Sequence, residues 1–173
     1  MSHFADIKTQ LNDHQALING LREMGFLIEA VSITPEMSAK QVAKAALRYV
    51  NSYNDSRRAH IIARHPKLRE NHTAIGFLWD SEVEAYTLQC DSYEIRHSEY
   101  GSELGYSELT DEAIQTLLNY QVQLEHDRAG VLLNYPPSNF VVTEQRIDNE
   151  ITFTIKPKPQ IQQTISHSIS SAI

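Results

Sequence analysis

Apolar residues along this chain recur at two spacings, and the changes from one to the other mark out its elements. Over residues 2–10, Phe4 and Ile7 stand among polar neighbours, which predicts a short strand. Leu17, Ile18, Leu21 and Met24 then fall on one helical face. Asn12 and Gln15 before them form an amide version of a capping box, and Gly25 sits where a left-handed C-terminal residue is wanted. Residues 26–33 are rich in β-branched and aromatic side chains and predict a strand. Thr34-Pro35-Glu36 has the chemistry of a helix start: a hydroxyl cap, a proline whose missing amide costs nothing at the first position, and an acid near the positive dipole end. The spacing predicts a helix from there to about Tyr53. Val42, Ala46, Tyr49, Val50 and Tyr53 would form its buried stripe, with Lys40, Lys44 and Arg48 on another face. Residues 57–71 are ambiguous, because Ala59, Ile61 and Ile62 suit either a short strand or a helical turn before Pro66 breaks the pattern.

Residues 73–79 and 82–90 read as two strands joined by Asp80-Ser81, an antiparallel hairpin. A loop carrying Gly101 and Gly105 leads to a third helix that opens at Thr110-Asp111-Glu112, buries Ile114, Leu117, Leu118 and Gln121, and ends near Gly130. Residues 140–145 and 151–155 form a last hairpin across Asp148-Asn149, whose register the pattern leaves open because slipped pairings present different faces. Beyond Pro159 the chain is Gln, Ser, Thr and Ile without charge, the composition of a disordered tail or of a strand that docks on a partner. This order of elements predicts an α+β fold, a mostly antiparallel sheet with helices packed on one face, with a ferredoxin-like core carrying an inserted helix as the preferred topology. A single domain over residues 1–158 and a tail over 159–173 are expected.

With 173 residues, 41% of them hydrophobic, the chain is long enough to bury a core without metals or disulfides. A formal net charge of -7 argues against a basic nucleic-acid coat, and no apolar run approaches the roughly 20 residues of a membrane span. The N-terminus has neither a cationic start with an apolar run nor a small-residue cleavage pattern, so a cytoplasmic location is expected. Cys90 is the only cysteine, which excludes an internal disulfide and a thiolate pair for zinc or iron-sulfur chemistry. No Gly-x-Ser-x-Gly elbow, P-loop or Gly-x-Gly-x-x-Gly turn occurs, and no cofactor is expected.

The opening Met1-Ser2-His3-Phe4 with Ile7-Lys8-Thr9, the helix end Met24-Gly25-Phe26, the strand Gly76-Phe77-Leu78-Trp79, the following Tyr86, Leu88 and Asp91, and the final hairpin resemble the hypothetical chloroplast open reading frame 35 family. That family of algal plastids and cyanobacteria is a conserved domain of unknown function. The resemblance implies a soluble protein, stromal if plastid-encoded, with no established reaction or cofactor and no catalytic residue to carry over. Residues from about 32 to 71 look like an insertion relative to compact members, and the tail like an extension.

The chemistry most visible in the sequence is electrostatic. Between residues 57 and 72, Arg57, Arg58, Arg64, Lys67 and Arg69 oppose the single acid Glu70, with His65 and His72 among them. On an acidic protein such a segment concentrates positive potential where an acidic or phosphorylated partner, another protein in the first instance, would dock. The competing expectation is that these cations pair with acids of the protein's own surface such as Glu82 and Glu84. The spacings of His60, His65 and His72 fit neither a helical nor a strand zinc pair. Glu82 and Glu84, with Asp80, would share one strand face at a solvated edge. A non-enzymatic binding or accessory protein is the function these features favour. The alternative is a small enzyme on an anionic substrate, with His65 or His72 as acid/base and the arginines as a clamp. A homo-oligomer is compatible with either.

Overall fold

Phe4–Lys8 (β1) sends Phe4 to one face of the sheet, where it packs with Tyr49, and the half-buried Ile7 to the other, against the main core. Helix His14–Glu23 (α1) follows, capped by the Asp13 carboxylate, which accepts from the Ala16 amide one residue beyond the expected Asn12. Leu17 and Leu21 on its inner face are fully buried, each contributing about 1.5–3 kcal/mol through removal from water. Gly25, at φ 88, reverses the chain into the short strand Leu27–Ala30 (β2). The computed structural model describes residues 4–51, 53–68, 74–148 and 150–159. The chain divides after Leu133 into two compact units.

The helix expected from Thr34 to Tyr53 is replaced by three pieces. Thr34-Pro35-Glu36 makes only one turn, closed by the Met37 amide on the Thr34 carbonyl. The helix proper, Ala39–Ala45 (α2), starts at Ser38, whose hydroxyl and backbone exchange hydrogen bonds with Gln41 in a capping box. It stops at Ala46, whose backbone is extended, and Leu47–Val50 (β3) pairs with Ser56–Ala59 (β4) as a two-stranded ribbon. Burial decides against the helix. In the ribbon Leu47, Tyr49 and Ala59 share one face and pack on Phe4, Ile62 and Ala74, and the Tyr49 hydroxyl donates to Gln89 Oε1 at 3.0 Å. Gly76 makes that approach possible, because a Cβ there would lie 2.2 Å from the Tyr49 hydroxyl oxygen.

The ambiguous stretch resolves into β4 and Ile61–Arg64 (β5), separated by His60. Ile75–Asp80 (β6) and Ala85–Asp91 (β7) form the expected hairpin. The main sheet has the order β1-β7-β6-β5-β2, antiparallel at every step, so the two strands joined by α1 are its opposite edges. The fold is α+β. The ferredoxin-like arrangement, however, needs a second strand-helix-strand crossover within the sheet. Here the chain leaves β7 through Ser92–Arg96 (α3), Glu99–Glu103 (α4) and the long Asp111–Asn134 (α5), and no described strand after α5 joins the sheet. The loop expected before α5 is thus largely helical.

Alternation sorts the two sheet faces. Ile61, Ala63, Ile75, Phe77, Tyr86, Leu88 and Cys90 join α1 and the Ile114, Leu118 and Val122 stripe of α5 in the main core, while the opposite face receives the ribbon. In the second unit Phe140–Ile147 (β8) and Glu150–Pro157 (β9) pair with Val142 opposite Ile155 and Glu144 opposite Phe153, which settles the register. Phe140, Val142, Ile151, Phe153 and Ile155 therefore share one face of the hairpin. Asp148, at φ 51, takes the left-handed conformation that a two-residue turn needs. Among the described residues no helix is long and apolar enough to cross a membrane. The tail beyond Pro159 lies outside the described residues.

Candidate functional site

The cationic segment is dealt out to several surroundings. Arg64, on β5, pairs with Glu29 of the neighbouring β2 at 3.0 Å, and the Lys67 ammonium meets the Glu103 carboxylate of α4 at 2.5 Å. Their neutralising acids are these two rather than Glu82 and Glu84. Both pairs are partly open to water, where such contacts are worth about 0–1 kcal/mol. His65 packs its ring 5.3 Å from Phe26 and 4.7 Å from Tyr100, centroid to centroid, and its Nδ1 accepts from the Lys67 amide. Burial, then the Lys67 charge, hold this imidazole below its ordinary pKa. Arg69 and His72 lie outside the described residues.

Arg57 and Arg58 are neighbours on β4 and so face opposite ways. Arg57 turns inward, its guanidinium 5.4 Å from the Phe4 ring centroid and its Nε buried without a hydrogen-bond partner. Arg58 turns outward, directly opposite Arg48 on β3. Arg48 Nε donates to Ser56 Oγ at 2.8 Å, and an Arg58 guanidinium nitrogen lies 3.4 Å from the Ala46 carbonyl oxygen at the end of α2. No carboxylate among the described residues pairs with either arginine. Two like charges directly opposed on a ladder repel, so this outward face is electrostatically incomplete by itself. Lys40 and Lys44 stay exposed on the adjoining α2. Arg48 becomes a partner of Arg58 only because residues 47–50 form a strand; on the expected helix it would lie with Lys40 and Lys44. The only local signal is the alternation Leu47-Arg48-Tyr49, and Ser56-Arg57-Arg58-Ala59 carries none of its own.

A second polar constellation has no charged cluster in the sequence to announce it. His14, the first residue of α1, has its Nδ1 2.5 Å from the Tyr86 hydroxyl of β7. Trp79 on β6 sets its ring 5.0 Å from that of Tyr86 in an edge-on arrangement. Tyr86 is pinned through its backbone as well, its amide donating to the Leu11 carbonyl and its carbonyl accepting from the Thr9 hydroxyl. Burial lifts the Tyr86 phenol above its usual range. Burial also lowers the His14 pKa against the opposing pull of Asp13, with His60 adding to the lowering. A neutral phenol donating to a bare imidazole nitrogen satisfies both groups. Behind them His60 is fully buried. Its Nδ1 accepts from the Trp79 amide at 2.9 Å and its Nε2 donates to the Val42 carbonyl at 2.8 Å, tying β6 to α2.

His14, Trp79 and Tyr86 line a cavity of about 400 Å³, together with Met37, Val42 and Glu84. Sites for small molecules run from about 300 to 1,000 Å³. Glu82 and Glu84 belong to the turn after β6 rather than to a strand face, and Glu84 takes a left-handed φ of 52. Cys90 is buried in the core, its thiol pushed up to about 12 chiefly by burial, which leaves it without nucleophilic character. Among the described residues no group of three His, Cys, Asp or Glu side chains could hold a metal ion. Comparisons with protein-family models, with curated proteins and with solved structures return no match.

Proposed function

We propose that the protein is a non-enzymatic binding protein whose outward β3–β4 face, built on Arg48 and Arg58, docks an acidic or phosphorylated segment of another protein. The observation that carries this reading is the pairing of Arg48 with Arg58 across the ladder, both side chains exposed and neither paired with a carboxylate among the described residues. A carboxylate or phosphate between them would turn a repulsive pair into two attractive ones, and the planar fork of arginine suits both anions. Lys40 and Lys44 on α2 add to the potential that such a segment meets on approach. The enzymatic alternative draws little from His65, whose Nδ1 is committed to a backbone amide and whose ring is packed between two aromatic side chains.

The test is fluorescence anisotropy with a labelled poly-glutamate peptide and a phosphoserine-containing counterpart. The double variant Arg48→Gln, Arg58→Gln is expected to bind either peptide roughly tenfold more weakly and to lose most of the salt sensitivity. Arg64→Gln with Lys67→Gln should change binding little, since those cations already have acids beside them. Equal losses in both double variants would show only a diffuse charge effect and defeat the assignment to the ribbon. The ribbon variant itself should be as stable as the parent or slightly more so, by about 0.2–1 kcal/mol, because it removes a like-charge pair.

A further inference from the structure

The cavity beside the His14–Tyr86 pair has a one-sided chemistry. Ile33, Met37 and Val42 make part of its wall apolar, Trp79 and Tyr86 bring two aromatic rings, and Glu84 brings the one carboxylate; no lysine or arginine lines it. An anionic guest would give up hydration and meet a like charge. A neutral guest would leave Glu84 with nothing to attract. A cation gains from Coulomb attraction to the carboxylate, with the partly exposed Trp79 ring in the same wall. His14 does not compete for that role, since it is engaged by Tyr86 at 2.5 Å.

We propose that this cavity binds a small organic amine as its ammonium form, the apolar body lying against Met37 and Val42 and the charged head held by Glu84 beside Trp79. None of the arginines of the ribbon lines the cavity, so the assignment stands or falls independently of the anion-docking surface. The geometry offers its own reporter: Trp79 is the only tryptophan in the chain, and its ring forms part of the wall. Amines that settle elsewhere on this acidic protein leave that indole untouched.

The experiment follows indole emission of the full chain during titration with three probes of similar size: phenethylammonium, phenethyl alcohol and hydrocinnamate. The expected result is a saturable change with phenethylammonium at roughly tenfold lower concentration than with the alcohol, and weaker binding still with the carboxylate. Glu84→Gln, which keeps the side-chain shape at a strained backbone position, should remove the preference for the amine over the alcohol while leaving the alcohol's own binding unchanged. Loss of binding to all three probes in that variant would make Glu84 a structural part of the wall and overturn the proposal. So would an absence of saturation with the amine at millimolar concentration, or equal affinity for the three probes.

Discussion

At the scale of single residues, burial with both polar ends satisfied explains more of this protein than charge does. His60 is the clearest case: one ring nitrogen accepts from the Trp79 amide while the other donates to the Val42 carbonyl, so only the neutral imidazole fits. Its pKa is lowered from 6.5, by burial in the first place, with the Val42 hydrogen bond pulling the other way. As pH falls through 6.5 the unfolded chain takes up a proton that the folded one refuses. The stability His60 contributes is therefore complete above that value and is lost as pH drops towards the folded-state pKa. His14 and His65, also depressed chiefly by burial, add to the same slope. Urea unfolding between about pH 7.5 and about pH 5 should show falling stability, and His60→Gln should flatten part of that fall. At neutral pH the variant strands the Val42 carbonyl or the Trp79 amide at a cost of about 1–3 kcal/mol. An unchanged pH slope in the variant would remove His60 from the account. The histidine spacings had already argued against a zinc pair. What they could not supply was the identity of the backbone groups eighteen and nineteen residues away that hold the ring, because those partners meet only after the sheet has formed. The arginine segment shows the same limit: its charge is plain in the sequence, but Glu29 and Glu103, which neutralise Arg64 and Lys67, come from distant elements.

Elements that carry their own caps and a long single-period pattern were legible, and those decided by a partner were not. α1, the β6–β7 hairpin and the β8–β9 hairpin follow from local spacing, and so does α5, except that Leu117, expected on its inner face, is exposed and Val122 takes that place. The segment from Thr34 to Tyr53 does not, because Val42, Ala46, Tyr49 and Val50 also satisfy a helical stripe, and the choice falls to a strand only when β4 is available to pair and the sheet face to receive Tyr49. A contact between helices gives a prediction of contrary sign to propensity. Gly20 lies in the middle of α1, where alanine would ordinarily stabilise a helix by about 1 kcal/mol. Here a Cβ would stand 2.7 Å from the Glu125 carbonyl carbon and 2.8 Å from its oxygen, on the backbone of α5, which cannot rotate aside as a side chain would. Gly20→Ala should thus destabilise by about 1–3 kcal/mol, through the separation it forces between the two helices. A thermal melt showing the variant equal to or above the parent would mean that α5 yields at little cost.

On the scale of the whole molecule, the division after Leu133 separates two kinds of stability. The first unit holds a five-stranded sheet covered by helices on one face and by the ribbon on the other, and the buried residues of α5, Ile114, Leu118, Val122, His126 and Ala129, all precede the division. Among its described residues the second holds one two-stranded hairpin with a single half-buried face, and isolated hairpins of that size are marginal in water. Sequence patterning finds the hairpin but not which strands it pairs with, since a strand that joins a larger sheet and one that pairs only with its neighbour share the same alternation. The expectation is that residues 1–133 alone unfold in one cooperative transition with the near-ultraviolet signature of packed Trp79 and Tyr86, and that residues 134–173 alone give no cooperative transition. Every side chain the first core depends on is present in the shorter chain, so loss of its cooperative melt would place part of that core's stabilisation beyond Leu133. The ribbon and the amine cavity both lie within residues 1–133, so the shorter chain should also keep the acidic-peptide and phenethylammonium affinities of the full one.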